Sequence, residues 1–218
     1  MILVQRESTV SLEGRDGFEE RGRDQTWPAL LQQGAPMVAF GSWAFAGPTD
    51  AMVTHTIYED FAHWEATREG VADEFDEPVS LARPFELVDG MSQRATRQSP
   101  ILTLPPTFGR GSLISERTMA LADGARDEFI RLSSQIIWPW LESSGGRGIA
   151  IGSDLMGASN EITTWFAFPT IAMWHRLTKP ATAGAPAAAV DAYRDRQALV
   201  RHQRGRLLII QTDWGTRA

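Results

Sequence analysis

Arg15-Asp16-Gly17-Phe18, followed by Trp27-Pro28-Ala29-Leu30, returns later in the chain as Arg126-Asp127-Glu128-Phe129 followed by Trp138-Pro139-Trp140-Leu141. The offset from Trp27 to Trp138 is 111 positions in a chain of 218 residues, close to half its length. A repeat at that scale means one structural unit written twice. After a slip of one residue the match continues, with Asp50-Ala51-Met52-Val53-Thr54 over Asn160-Glu161-Ile162-Thr163-Thr164, Tyr58 over Phe168 and Trp64 over Trp174. The expected units are residues 1–107 and 108–218, with the junction in the Pro- and Gly-rich run 105–111.

Outward from the repeated phrase, alternating β-branched and polar residues predict a first strand over 2–12. Asp16 is the expected cap of a helix over 17–33, kinked by Pro28 and ended by Gly34. Strands follow over 36–46 and 51–59, joined by a tight turn at 47–50, and a helix capped by Asp60 runs from 60 to about 75. Residues 76–100 are irregular, with a short helix expected over 86–97, and a fourth strand is expected at 101–104 before Pro105-Pro106. The second copy predicts strands over 113–121, 147–155, 161–168 and 207–212, and helices over 125–143, 170–177 and 188–204. Each half reads as a ferredoxin-like βαββα(α)β unit of the α+β class, with helices on one face of its antiparallel sheet. The other face would be bare, so the two sheets are expected to bury those faces against each other.

Composition sets limits on function. The net charge is −6 with a pI near 5.3, and no block of Lys or Arg stands out, which argues against nucleic acid or an anionic membrane as partner. No cysteine is present, so disulfides, thiolate nucleophiles, iron–sulfur clusters and cysteine zinc sites are excluded. The first residues reach charge too early for a secretory signal, and no run of 18 apolar residues occurs, so a cytoplasmic location is expected.

Several stretches resemble a known family: Arg117 on a first strand, Trp138-Pro139-Trp140-Leu141-Glu142 ending a helix before Gly145, and the hairpin strand from Asn160 to Phe168 running into a helix. Ile101-Leu102-Thr103-Leu104-Pro105 is similar to that family's closing segment. The pattern resembles the dimeric α/β-barrel superfamily, and within it the NIPSNAP-type domain, once per half. The aromatic residue usual on the first strand is Met119 in one half and Ser8 in the other. The resemblance implies a small molecule bound between sheet and helix or inside the barrel. It also implies chemistry from a set that includes cofactor-free oxygenases, polyketide cyclases of secondary metabolism, isomerases, dehydratases and haem enzymes.

The halves differ where a site is expected. His55 lies mid-strand in one half and Trp165 takes its place in the other; a neutral imidazole there suits a general base. The plainer alternative is a histidine hydrogen-bonded within the sheet. Arg6 and Arg117 are equivalent first-strand residues suited to holding an oxyanion, or to a salt bridge with Glu7 or Glu116. Trp43, Ser42, Tyr58, Glu7, Trp165 and Asp154 are the expected substrate-contacting residues. Trp27, Trp138, Trp64 and Trp174 recur in both halves and read as core. Glu59 and His63 have helical spacing but no third ligand nearby, so no metal site is expected. The leading expectation is a small-molecule enzyme without a tightly bound cofactor. It would act on an apolar, aromatic or polyketide-like substrate by proton abstraction, leading to oxygenation, cyclisation, isomerisation or elimination. Alternatives are a haem enzyme, with His175 or His202 as axial ligand, and a non-catalytic binding protein. A homodimer is compatible with either.

Overall fold

The computed structural model describes residues 1–72, 80–88 and 108–211. Its frame is a closed barrel of eight antiparallel strands. In chain order they are β1 (Ile2–Thr9), β2 (Met37–Phe45), β3 (Ala51–Tyr58), β4 (Ser80–Leu87), β5 (Leu113–Leu121), β6 (Arg147–Asp154), β7 (Glu161–Phe168) and β8 (Val200–Ile210). Around the barrel they run β1-β3-β2-β8-β5-β7-β6-β4 and back to β1. Each half contributes four neighbouring strands in the same internal order, and the fourth strand of one half lies beside the second strand of the other.

Two separate sheets packed face to face are therefore not what forms. The sheet edges hydrogen-bond to each other along β2 and β8, where Gly41 lies opposite Ile210 and Trp43 opposite Leu208, and along β4 and β6, where Phe85 lies opposite Asp154. Closure satisfies edge groups that two open sheets would leave unpaired. Gly41 permits the first seam, because a Cβ at that position would collide with the Ile209 carbonyl.

Three elements depart from the sequence reading. The fourth strand of the first half is β4 at Ser80–Leu87, so the helix expected over 86–97 does not begin at 86; the strand expected at 101–104 lies outside the described residues. Pro84 sits inside β4 without cost to the ladder: its carbonyl accepts from Leu155 N–H on the β6 side, so its missing donor also faces that side, just beyond the last β4–β6 pair. The final helix stops at Ala198, and β8 begins at Val200, earlier than the expected 207. Residues 200–206 of β8 pair with β5 alone and overhang the end of β2, and 201–205 are exposed.

The helices cover the outside. In the first half they are α1 (Arg15–Arg21), α2 (Trp27–Gln32) and α3 (Phe61–Ala72). In the second they are α4 (Arg126–Arg131), α5 (Trp138–Ser143), α6 (Ile171–Leu177) and α7 (Ala187–Ala198). Asp60 caps α3 as expected, accepting from His63 N–H at 2.8 Å. Asp16 does not cap α1; Ser11 instead accepts from Gly14 N–H ahead of it, and Asp16 falls in the helix's first turn.

The repeated Trp-Pro phrase has one structure in both halves. A π-helical turn, Gly22–Thr26 or Leu132–Ile137, precedes each Trp, whose N–H reaches back five residues to Gly22 or Ser133. Widening the turn keeps the ring of the following Pro clear of the carbonyl four residues back, which replaces the simple kink expected from Pro28. Gly34 and Gly145 then end both helices with positive φ, and the next residue's N–H bonds to Leu30 or Leu141.

Strand alternation sorts side chains between the two faces of the wall. The inner face carries an apolar cluster that includes Leu3, Val53, Ile57, Phe85, Ile114, Trp165 and Leu208, all buried. The outer face packs against the helices: Met119, Ile151, Ile162, Phe166 and Phe168 meet Phe129, Leu132, Trp138 and Leu177 in the second half, and Ile2, Val4 and Tyr58 meet Leu30 in the first.

Candidate functional site: a polar barrel core and a sheet–helix cavity

The inner face carries charge as well as hydrocarbon. Gln5 Nε2 lies 3.0 Å from His55 Nε2 and donates to Glu116 Oε2 at 2.5 Å, while Gln5 Oε1 accepts from Arg206 at 3.3 Å. His55 Nε2 thus faces the Gln5 amide and lies 3.9 Å from Glu116 Oε2, which leaves Nδ1 as the other ring nitrogen. That Nδ1 is buried and has no partner among the described residues. Glu116 also accepts from Trp165 Nε1 at 3.1 Å and from Arg206 at 2.8 and 3.0 Å. Arg206 reaches on to Glu7 at 2.7 Å and stacks over the Trp43 ring at 4.0 Å, and Trp43 Nε1 donates to Glu7 at 3.2 Å. Burial pushes the Glu116 carboxyl up, but the His55 and Arg206 side chains beside it more than reverse this and hold it at about 2.

Gln5, His55, Glu116 and Trp165 are at most 3% exposed, while Arg206 and Glu7 lie closer to solvent at 18% and 13% of their side chains. The network thus runs from partly exposed Arg206 and Glu7 inward to fully buried Gln5, His55, Glu116 and Trp165. Arg83 on β4 pairs with Asp154 of β6 on the same face.

This arrangement divides the residues singled out in the sequence. His55, Glu7, Trp43, Trp165 and Asp154 are inside the barrel. Arg6, Arg117, Ser42 and Tyr58 alternate with inward residues and so belong to the outer face. Ser42 accepts from Gln211 at 2.8 Å, and Tyr58 packs edge-on to His63 at 5.8 Å. The barrel wall therefore separates His55 from both arginines, and one substrate cannot touch the base and either proposed oxyanion holder together.

The outer face of the second half has its own cavity, about 50 Å³, between β5, β7 and helices α5 to α7. Ser115, Arg117 and Thr164 come from the strands, with Phe166 and Phe168 beside them; Trp138, Leu141, Leu177, Thr178, Tyr193 and Arg196 come from the helix side. Gly148 lets Trp138 close one end, because a Cβ there would collide with the indole ring. Arg117, Leu141, Thr178 and Tyr193 are half-buried, so the cavity reaches the surface. Arg117 Nη1 lies 3.5 Å from Tyr193 Oη. Arg196 is only 7% exposed, donates to Ser133 Oγ at 3.3 Å, and faces the rings of Tyr193 and Phe129 at 5.0 and 5.5 Å. Burial, together with the like charge of Arg117, pulls its guanidinium down to about 10 against an opposing contribution from Tyr193.

Sequence reasoning missed Gln5, Glu116 and Arg206 as a cluster, and Tyr193 and Arg196 altogether. A helix expected to run to 204 hides the signal for Arg206, which lies well inside β8. Arg196 had one: it falls on the small-residue face of α7, where Ala189 and Ala192 are buried and a charged residue is out of place.

The two histidines considered as haem ligands do not meet here: His175 and His202 are both exposed and neither lines this cavity. His63 has both ring nitrogens engaged, with Glu59 N–H at 3.1 Å and the Gln33 carbonyl at 2.7 Å. No group of three metal-ligating side chains occurs among the described residues.

The architecture has solved counterparts. A protein provisionally described as a monooxygenase from Lactobacillus acidophilus aligns over 97% of this chain and 96% of its own, with TM-score 0.65 and 8% identity. An anthrone oxidase-like protein aligns over 99% and 93%, with TM-score 0.51 and 8% identity. A NIPSNAP domain protein from Burkholderia xenovorans aligns with 44% of this chain and 92% of its own, at TM-score 0.38 and 15% identity. No protein-family model and no curated protein matches the sequence. At these identities the likeness establishes the fold alone, which the chain shares with the monooxygenase-like and anthrone oxidase-like structures.

Proposed function

We propose that the protein is a small-molecule enzyme that works in the sheet–helix cavity of its second half. Its substrate is an apolar or aromatic molecule with an acidic C–H, the reaction begins with loss of that proton, and no tightly bound cofactor takes part. The observation that carries this reading is the cavity wall. Trp138, Phe166, Phe168 and Leu177 form an apolar surface on which only a few polar groups, Ser115, Arg117, Thr164, Tyr193 and Arg196, converge. Such a surface is what a small organic ligand requires. Arg117 is the group placed to meet a substrate oxygen, and a guanidinium beside an enolate lowers the cost of passing the neighbouring proton to water, which reaches the cavity through its half-buried rim. The monooxygenase-like and anthrone oxidase-like counterparts support the choice of substrate class by analogy of fold.

Phenylpyruvate, an aromatic ketone with an acidic methylene, serves as probe. Its protons should exchange with deuterated water faster in the presence of the protein than in buffer, followed by NMR, and Arg117→Met should return the rate to that of buffer. Exchange no faster than buffer would remove the assignment. A second reading rests on the unpartnered Nδ1 of His55, which leaves one buried ring nitrogen uncommitted inside the barrel. In that reading His55→Ala abolishes the exchange and Arg117→Met does not, so the same measurement separates the two.

A further inference from the structure

The cations of this protein are not treated alike. Arg206 is held by Glu116 and Glu7, and Arg83 by Asp154. Arg196 is buried more deeply than either, yet no carboxylate among the described residues pairs with it, and its Nε is buried without a partner. Its charge is met by the Ser133 hydroxyl, by Tyr193 and by the face of the Phe129 ring, none of them a carboxylate. The neighbouring cation, Arg117, also lacks a carboxylate partner among the described residues; it has the Tyr193 hydroxyl, at 3.5 Å. Two guanidiniums thus border one small cavity with a phenol between them. Burying unpaired charge is costly, and placing two like charges together adds to that cost. An anion in the cavity offsets both.

The dimensions narrow the choice of anion. About 50 Å³ encloses the head of a ligand and not its body. Planar guanidiniums match carboxylates through paired N–H···O contacts. Beside the two arginines the wall is formed by Trp138, Phe166 and Phe168, which suits hydrocarbon. We propose that the cavity is a carboxylate-binding subsite, in which Arg117 and Arg196 together hold the head of an apolar carboxylic acid whose hydrocarbon next to the carboxylate meets the aromatic wall. This rests on the cavity being the small-molecule site, and it names the substrate class as apolar carboxylates.

Isothermal titration with benzoate, benzamide and acetate tests it. Benzoate should bind at least tenfold more tightly than benzamide, which has the same ring without the charge, and at least tenfold more tightly than acetate, which has the charge without the ring. Arg117→Met and Arg196→Met should each reduce benzoate affinity at least tenfold. Arg117 is half-buried on a strand face, so its variant keeps the test decisive even where Arg196→Met folds poorly. Benzamide binding as tightly as benzoate would overturn the carboxylate subsite while leaving a small-molecule cavity in place. Acetate matching benzoate would overturn the apolar body, and undiminished benzoate binding in Arg117→Met would overturn the arginine pair. Binding by none of the three would overturn the subsite and the cavity reading together.

Discussion

Glu116 is the residue on which the inside of the barrel turns. It accepts from Gln5, Trp165 and Arg206, and so links strands β1, β7 and β8 to its own β5. Its folded carboxyl is held at about 2 against an ordinary 4.5, so as pH falls the unfolded chain takes up this proton first. The stability it contributes is complete above about pH 4.5 and is lost as pH drops toward 2; the shift corresponds to about 3 kcal/mol. Chemical denaturation at a series of pH values should show that loss, with the slope between pH 4.5 and 2 flattened in Glu116→Gln. Trp165→Phe keeps one aromatic ring, removes a donor to the carboxylate and leaves a gap where the rest of the indole stood; it is expected to cost at least about 2 kcal/mol in denaturant unfolding at neutral pH. The contrast between His55 and Trp165 was legible in the sequence as a difference between the halves. That they serve one buried network was not, because the carboxylate joining them to Arg206 lies on another strand.

At the level of elements, the strands that alternate cleanly were legible within a residue or two: β3, β5 and β7 fall where period-two patterning puts them. β4 was missed because Pro84 argues against a strand unless the direction of its missing donor is known, and that depends on which neighbour the strand acquires. The start of β8 was missed because a run rich in Arg, His and Gln carries no apolar alternation when it overhangs its neighbour and meets solvent. The packing of Trp138 over Gly148 gives an element-scale expectation. Gly148→Ala should force α5 away from β6 and cost about 1–3 kcal/mol, measured by thermal or denaturant unfolding, and Gly111→Ala serves as control for positive-φ strain in open space.

For the whole molecule, the barrel's two seams and its inner network bind the halves into a single cooperative structure. Glu7 and Gln5 of the first half share Arg206 with Glu116 of the second, so neither half has a complete core alone. Tryptophan fluorescence and far-ultraviolet circular dichroism should therefore report one coincident unfolding transition. Two separable transitions would show that the halves hold their own cores. No helix among the described residues is long and apolar enough to cross a membrane.

β5 presents Glu116 to the barrel core and Arg117, the very next residue, to the cavity outside. One strand thus acts as a partition between the buried polar network and the wall of the proposed ligand cavity. For protein engineering the consequence is practical. Ser115, Arg117 and Thr164 can be varied as a library for new ligands, while Phe166, packed in the outer core against Trp138, and the alternate positions Glu116, Thr163 and Trp165 stay fixed, which reduces the competition between selection for binding and selection for folding.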